Sequence, residues 1–172
     1  SSGASEEQIL ASGHVIALRD INLSVREGEI FVLMGPSGSG KSTLVRHCNR
    51  LIPQTAGQVL VQGHDLAKQT QSELRELRRN KISMVFQAFG LLPHRTVLEN
   101  VAFGLELQGV GSSERRVRAM KVIDQVGLSG SEARLPEQLS GGMRQRVGLA
   151  RALCCETPIV LMDEPFAALD PV

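Results

Sequence analysis

Apolar positions along the chain alternate between strand-like runs and helix-like periodicity. Continuous apolar runs at residues 30–34 and 158–162 predict two strands, of which the first is expected to be buried, and the alternation at residues 15–25 predicts strands with one solvent-facing side. Shorter strands are predicted at residues 58–61 and 82–86. Because these strands are interleaved with helical segments, we expect an α/β fold with a parallel, doubly wound sheet.

Helical spacing follows residue 40 and dominates residues 88–150. The first predicted helix ends before Pro53, and its apolar residues are Leu44, Val45, Cys48 and Leu51. Thr70 and Glu73 have the spacing of a capping box that opens a second helix. Three more helices are predicted at residues 97–107, 113–126 and 142–155. For the middle one we expect a buried stripe of Val117, Met120, Ile123 and Val126.

Composition narrows the class of protein. The 172 residues are 42% hydrophobic with a net charge of +1, which gives no electrostatic reason to expect nucleic acid as a partner. No apolar stretch reaches the roughly 20 residues that span a bilayer, so we expect no direct membrane insertion. The three cysteines, Cys48, Cys154 and Cys155, lack metal-binding spacing and indicate reduced thiols in the cytoplasm.

The first apolar run leads directly into a phosphate-binding loop. Its sequence fits G-x-x-x-x-G-K-[ST] between a predicted strand and a predicted helix. Glycines leave backbone N–H groups open to phosphate oxygens, the lysine supplies a positive charge, and the Ser42 hydroxyl is a suitable Mg²⁺ ligand. The predicted nucleotide-binding residues are Gly35, Pro36, Ser37, Gly38, Ser39, Gly40, Lys41, Ser42 and Thr43.

Two carboxylates and an amide follow predicted strands. Asp163 ends the last apolar run, where it suits Mg²⁺, and Glu164 comes next, where it can polarise an attacking water. Gln87 follows another strand and opens the helical block, so its amide can contact Mg²⁺ or water. We therefore predict Glu164 and Gln87 as catalytic residues, and Ser42, Gln87 and Asp163 as metal ligands.

A second glycine-rich anion site precedes the helix at residues 142–155. In the run Ser140, Gly141, Gly142 and Met143, the serine and the two glycines are expected to leave bare N–H groups at the start of that helix. Two chains packed head to tail could enclose each triphosphate between one phosphate loop and the other chain's Ser-Gly-Gly. The arginines of the helix are expected to form a solvated face; they are Arg144, Arg146 and Arg151.

Taken in order, these motifs resemble the nucleotide-binding subunits of ABC transporters. Within that family, residues 29–34, 49–52 and 139–153 look like the glycine betaine/proline (quaternary amine) importers, although Pro36 and Pro165 follow the broader ABC pattern. The resemblance implies Gln87 as the Q-loop residue, Glu164 as the catalytic carboxylate and Asp170 as the D-loop aspartate. It also implies that residues 140–143 are the signature contacting nucleotide in trans.

The resemblance further implies a P-loop NTPase fold. This fold has a RecA-like parallel sheet core, an antiparallel β edge and an inserted helical subdomain, and here it is expected to be C-terminally truncated. We expect the nucleotide-binding core at residues 1–87 and 151–172, incomplete, and the helical signature subdomain at residues 88–150. Implied cofactors are ATP and Mg²⁺. Implied partners are a second copy of the subunit and a membrane permease that docks near residues 87–100, which places the protein peripherally on the inner face of the membrane.

Two departures from the family leave alternatives open. The stretch upstream of the phosphate loop has no Phe, Tyr or Trp to stack on adenine, and His14 is the residue there that could stack instead. The family's switch histidine lies beyond the last residue of this sequence, so we expect ABC-type ATPase activity that is weak. The main alternative is a truncated nucleotide-binding fragment that binds ATP without significant hydrolysis. An ABC ATPase of DNA repair or chromosome structure is disfavoured, because zinc-binding cysteines and a long coiled coil are lacking.

Overall fold

The computed structural model of the chain describes residues 11–165. Contacts divide it into two compact units, residues 1–69 and residues 70–172. The first unit contains helix α1 (Lys41–Cys48) and an antiparallel pair of short strands, β1 (Leu60–Val61) and β2 (His64–Asp65). Leu66, fully buried, and Val61 lie at the apolar centre of this hairpin region.

Residues 15–34 differ from the prediction. The expected strands at residues 15–25 and the expected buried strand at residues 30–34 are absent from this unit, and the predictions there are wrong. Ile30 is 91% exposed and Met34 is 86% exposed. A strand forms only when a neighbour accepts its backbone hydrogen bonds, and the only ladder within residues 11–69 joins β1 to β2.

The second unit combines a parallel strand pair with helices. Its elements are α2 (Gln71–Asn80), β3 (Ile82–Val85), α3 (Val97–Leu107), α4 (Ser112–Gln125), α5 (Gly141–Cys154) and β4 (Ile159–Met162). Strand β3 pairs in parallel with β4, with Ile82 opposite Ile159 and Val85 opposite Met162. The predicted capping box opens α2, where the Thr70 hydroxyl accepts from the Glu73 N–H and the Glu73 carboxylate accepts from the Thr70 N–H.

The core of this unit lies between α3, α4 and α5. Its fully buried side chains include Val101, Leu105, Ile123 and Val147. The stripe predicted on α4 is wrong at Val117, which is 70% exposed, while Ala119 is buried in its place. A strict three-residue repeat drifts around a helix of 3.6 residues per turn, so the buried line runs instead through Ala119 and Ile123, four residues apart.

Most of the three-helix core lies within residues 88–150 of the predicted helical subdomain, but α5 and the buried Cys154 extend past residue 150. The subdomain boundaries after residues 87 and 150 stay a prediction, since the contact-defined division lies between Gln69 and Thr70. Of the residues described, no helix is both long and apolar enough to cross a bilayer.

Candidate functional site

The phosphate loop leads into helix α1 through a glycine whose backbone and surroundings disfavour any side chain. Gly40 is the N-cap of α1 with a φ of 87°. A Cβ at this position would lie 2.9 Å from the Ala17 carbonyl oxygen and 2.8 Å from the Leu18 Cδ2. No side chain caps the first turn of α1. The N–H groups of that turn are therefore available to an anion, as in other helix starts that bind phosphate.

The Lys41 side chain folds back over the loop. Its Nζ donates to the Gly35 carbonyl oxygen at 2.9 Å and to the Pro36 carbonyl oxygen at 2.8 Å. An ammonium group has three donors, so one remains after these two bonds. The loop is also closed by a hydrogen bond from the Ser39 N–H to the Pro36 carbonyl at 3.3 Å. The positive charge is thus fixed above the loop that precedes the helix.

Hydroxyl groups border the same loop. Ser37 and Ser39 are exposed in the loop, while Ser42 and Thr43 are half-buried in the first turn of α1. Gly38, between the two loop serines, has a φ of 81° with no atom near its missing Cβ. All nine predicted nucleotide-binding residues therefore belong to one continuous loop and helix start.

In the second unit, Gln87 and Glu164 meet at the carboxyl edge of the parallel strands. The Gln87 Nε2 donates to the Glu164 Oε2 at 2.6 Å. Glu164 has a left-handed backbone with a φ of 48° and is half-buried. The preceding Asp163 is 2% exposed, and its N–H continues the ladder to the Val85 carbonyl at 3.0 Å. The two predicted catalytic side chains are thus in direct contact, and Asp163, the predicted metal-binding carboxylate, directly precedes Glu164.

The donor types at these positions suit Mg²⁺. In the second unit, Asp163 offers a carboxylate and Gln87 an amide oxygen, and in the first unit Ser42 offers a hydroxyl oxygen; Mg²⁺ prefers oxygen ligands. Because the Gln87 amide nitrogen faces Glu164, the amide oxygen is the end left for a cation. Across residues 11–165, no group of three or more His, Cys, Asp and Glu side chains could hold a metal.

The signature residues open helix α5. Ser140 is the N-cap, and its Oγ accepts from the Met143 N–H at 3.3 Å. The Met143 N–H is therefore paired within the chain, because a serine before a helix caps it. The Ser140 hydroxyl still has its own hydrogen to donate. Gly141 and Gly142 occupy the first two helical positions and are half-buried.

The arginines of α5 do not form the expected solvated face. Arg151 donates to the Gly90 carbonyl at 2.7 Å and to the Phe89 carbonyl at 3.0 Å, and its burial lowers the pKa of the guanidinium. Arg146 donates to the carbonyls of Val126 and Gly127, each at 3.3 Å. Several arginines on one helix usually indicate a side that faces solvent, but the donors of a guanidinium also suit backbone carbonyls.

Sequence reasoning missed one further polar residue of α5. Gln145 is 3% exposed, and its Nε2 donates to the Glu164 carbonyl oxygen at 3.3 Å. The only sequence signal is a polar side chain in a helix whose neighbours Val147, Gly148 and Ala150 are all buried. The structure adds little about two other predicted residues, His14 and Asp170. His14 is exposed and bonds to Ser12, and Asp170 lies outside the described residues.

Comparisons with known proteins agree with this geometry. The family model described as ABC transporter matches residues 18–167. The chain is 58% identical to the glycine betaine/proline betaine transport system ATP-binding protein ProV of Escherichia coli, over 99% of this chain and 43% of that protein. It is 54% identical to the glycine betaine transport ATP-binding protein OpuAA of Bacillus subtilis, over 100% of this chain and 41% of that protein.

A solved structure supports the same relationship. The dimeric structure of MJ0796, named as a bacterial ABC transporter cassette, matches with a TM-score of 0.86 at 42% identity, over 90% of this chain and 68% of that chain. The chain spans about two fifths of the length of the two transport ATP-binding proteins, ProV and OpuAA. The predicted P-loop NTPase fold class and the predicted family are confirmed. The chain belongs to the ABC transporter family.

Proposed function

We propose that this chain is part of the ATP-binding subunit of an ABC importer for glycine betaine, proline or another quaternary amine. The observation that carries the proposal is the phosphate loop, in which Lys41 is held above backbone that leads into an uncapped helix start. The names of the similar proteins, which are glycine betaine transport ATP-binding proteins, support the nucleotide and the solute class.

ATP would be bound by residues 35–43 through backbone N–H groups and the Lys41 ammonium. We propose the Ser42 hydroxyl, the Gln87 amide oxygen and the Asp163 carboxylate as oxygen donors for Mg²⁺ or its water. When bound, the metal ion neutralises charge on the phosphate oxygens. These residues supply what this chain contributes to holding the nucleotide.

Hydrolysis would depend on Glu164. Its carboxylate would orient and polarise a water molecule for in-line attack on the γ-phosphate, and the leaving group would be ADP. Gln87 would hold that carboxylate through the observed 2.6 Å hydrogen bond until the water takes its place. The proposed catalytic residues are thus Glu164 and Gln87.

We propose that the subunit works as a dimer with a second copy of the same subunit. Ser140, Gly141, Gly142 and Met143 would contact the nucleotide of the partner subunit, and Asp170 would act as the D-loop residue. The dimeric state named for MJ0796 supports this arrangement. ATP-driven dimerisation, reversed after hydrolysis, would then power transport.

A permease would dock on the segment from Gln87 to Asn100, which would place the subunit in the cytoplasm on the inner face of the membrane. The fixed shape of that segment supports the proposal. The buried Asn100 side chain accepts from the Leu92 N–H at 2.8 Å and donates to the Arg95 carbonyl at 2.8 Å. A surface that is rigid before docking costs less entropy when it binds.

Phosphate release with Mg²⁺–ATP tests the enzymatic part of this function. We expect the unmodified chain to release phosphate, and Glu164→Gln to bind ATP but release none. Glu137→Gln is the matched control, since it removes an exposed carboxylate of the same unit. Equal rates for Glu164→Gln and the unmodified chain would contradict the proposed role. Tight ATP binding with no release by any of the three would favour a binding fragment.

A further inference from the structure

Helix α5 contacts both segments that carry the Gln87–Glu164 pair. On one side, the buried Gln145 donates to the backbone carbonyl of Glu164 itself. On the other, Arg151 donates to the two consecutive carbonyls that follow Gln87 by two and three residues. The same helix that begins with the Ser-Gly-Gly signature therefore holds the backbone behind each member of the pair.

The segment after Gln87 needs this support because its backbone is strained. Phe89 has a φ of 61° and Gly90 a φ of 58°, so two successive residues are left-handed. A bulky residue such as Phe seldom adopts this conformation unless its surroundings enforce it. The turn is closed locally by the Phe89 N–H to the Phe86 carbonyl at 3.0 Å and the Gly90 N–H to the Ala88 carbonyl at 2.6 Å.

The Arg151 guanidinium suits this role better than a lysine would. Its planar fork reaches the Phe89 and Gly90 carbonyls with separate nitrogens, at 3.0 Å and 2.7 Å. A lysine ammonium is a point charge without that geometry. Arg144, two turns earlier on α5, places its guanidinium 5.6 Å from the centroid of the Phe89 ring, so the same turn is held from a second position.

We propose that Gln145 and Arg151 are positioning residues that hold Glu164 and Gln87 in the geometry required for metal binding and hydrolysis. This inference rests on the proposed function. Because a helix moves as a rigid body, a displacement of α5 at Ser140 would shift both contacts together. Contact of the signature with nucleotide would then be felt at the Gln87–Glu164 pair of the same chain.

The test compares Arg151→Met, Arg151→Lys and Gln145→Leu in the full chain. Arg146→Met is the matched control, because Arg146 lies on the same helix and also binds two consecutive carbonyls, but those of Val126 and Gly127. Two readouts apply. One is amide hydrogen exchange over residues 86–91 and 163–165, and the other is the affinity for Mn²⁺ in the presence of ATP, followed by electron paramagnetic resonance.

We expect Arg151→Met to speed exchange over residues 86–91 and to weaken Mn²⁺ binding about tenfold, in the range typical of residues that orient metal ligands. ATP binding without metal should not change. For Arg151→Lys, the exchange rate and the Mn²⁺ affinity should lie between those of the unmodified chain and those of Arg151→Met. Gln145→Leu should speed exchange at residues 163–165. Arg146→Met should affect only the amides near residues 126–128.

Unchanged exchange and Mn²⁺ affinity in Arg151→Met would overturn the inference, as would equal changes in Arg146→Met. If Arg151→Met fails to fold, Arg151→Lys decides by the same criteria. Failure of the proposed function looks different, because the unmodified chain would then bind no ATP. In that case hydrogen exchange alone decides whether α5 holds the pair.

Discussion

The side chains of Gln87 and Glu164 are joined by a 2.6 Å hydrogen bond although the residues are 77 positions apart. The parallel register explains this contact. Val85 lies opposite Met162, so the residues that follow both strands leave the sheet at the same edge. An amide donor on a carboxylate also leaves the amide oxygen for a cation, so one glutamine can serve two groups of the site.

Replacing Gln87 should separate metal-dependent from metal-independent nucleotide binding. The contact is exposed, so Gln87→Ala should change the free energy of unfolding by no more than about 0.5 kcal/mol. We expect it to weaken ATP binding in Mg²⁺ but not in EDTA, measured by calorimetry. Gln71→Ala, at an exposed position of the same unit, should change neither. An equal loss with and without Mg²⁺ would show that Gln87 does not act through the metal.

The second unit was largely predictable because its signals are local. Helix α3 has the predicted bounds, Val97–Leu107, since its apolar period starts directly after Thr96, which caps it together with Glu99. The strands Ile82–Val85 and Ile159–Met162 were also found from their apolar runs. In each of these cases, the pattern and the end signal lie within a few residues of each other.

Residues 15–34 were not predictable from the same signals. The run at residues 30–34 is as apolar as strand β4, yet Val32 is 69% exposed. An apolar run shows that a segment can pair but not which strand will pair with it. The sequence does not predict the hydrogen bonds of Arg146 and Arg151 for a related reason, since their partners are backbone carbonyls at distant positions that leave no side-chain pattern.

Asn100 organises the turn that leads into α3. Its Nδ2 donates to the carbonyls of Leu92, Arg95 and Thr96, and its Oδ1 accepts from the Leu92 N–H. Because Asn100 is fully buried, Asn100→Ala should leave buried groups unpaired and lower the free energy of unfolding by about 2–3 kcal/mol. Urea unfolding measures this. The exposed Asn22→Ala is the control, and equal small effects for both would contradict the role of Asn100.

Gly104 allows α3 to approach α5 closely. A Cβ at Gly104 would overlap the Cys155 sulfur, so Gly104→Ala should lower the free energy of unfolding by about 1–3 kcal/mol. Adding Cys155→Ala should recover part of that loss, because it removes the atom in the way. Gly111→Ala meets no atom within 4 Å, so only the loss of a glycine N-cap on α4 should lower its free energy of unfolding, by about 1 kcal/mol or less. Strict additivity of the two substitutions would argue against the overlap.

The thiols should react slowly with alkylating agents. Burial raises the pKa of Cys154 to about 11 from 9.0, and burial also raises the pKa of Cys48 and of Cys155. A raised pKa leaves the thiol protonated at neutral pH, and only the thiolate reacts. At pH 8 the two-unit difference alone should slow iodoacetamide at Cys154 about 100-fold, and the rate should rise as the pH approaches 11. Peptide mass spectrometry would follow each site, and labelling of Cys154 as fast as that of a small free thiol would contradict this.

ATP titration of the unmodified chain, Lys41→Ala and Lys68→Ala tests the central proposal most directly. Lys68 is an exposed lysine of the same unit and controls for the loss of one positive charge. Because charge-assisted hydrogen bonds to phosphate contribute strongly to binding, we expect Lys41→Ala to weaken ATP affinity about tenfold or more, with Lys68→Ala unchanged. Equal ATP affinity for Lys41→Ala and the unmodified chain would contradict nucleotide binding at this loop.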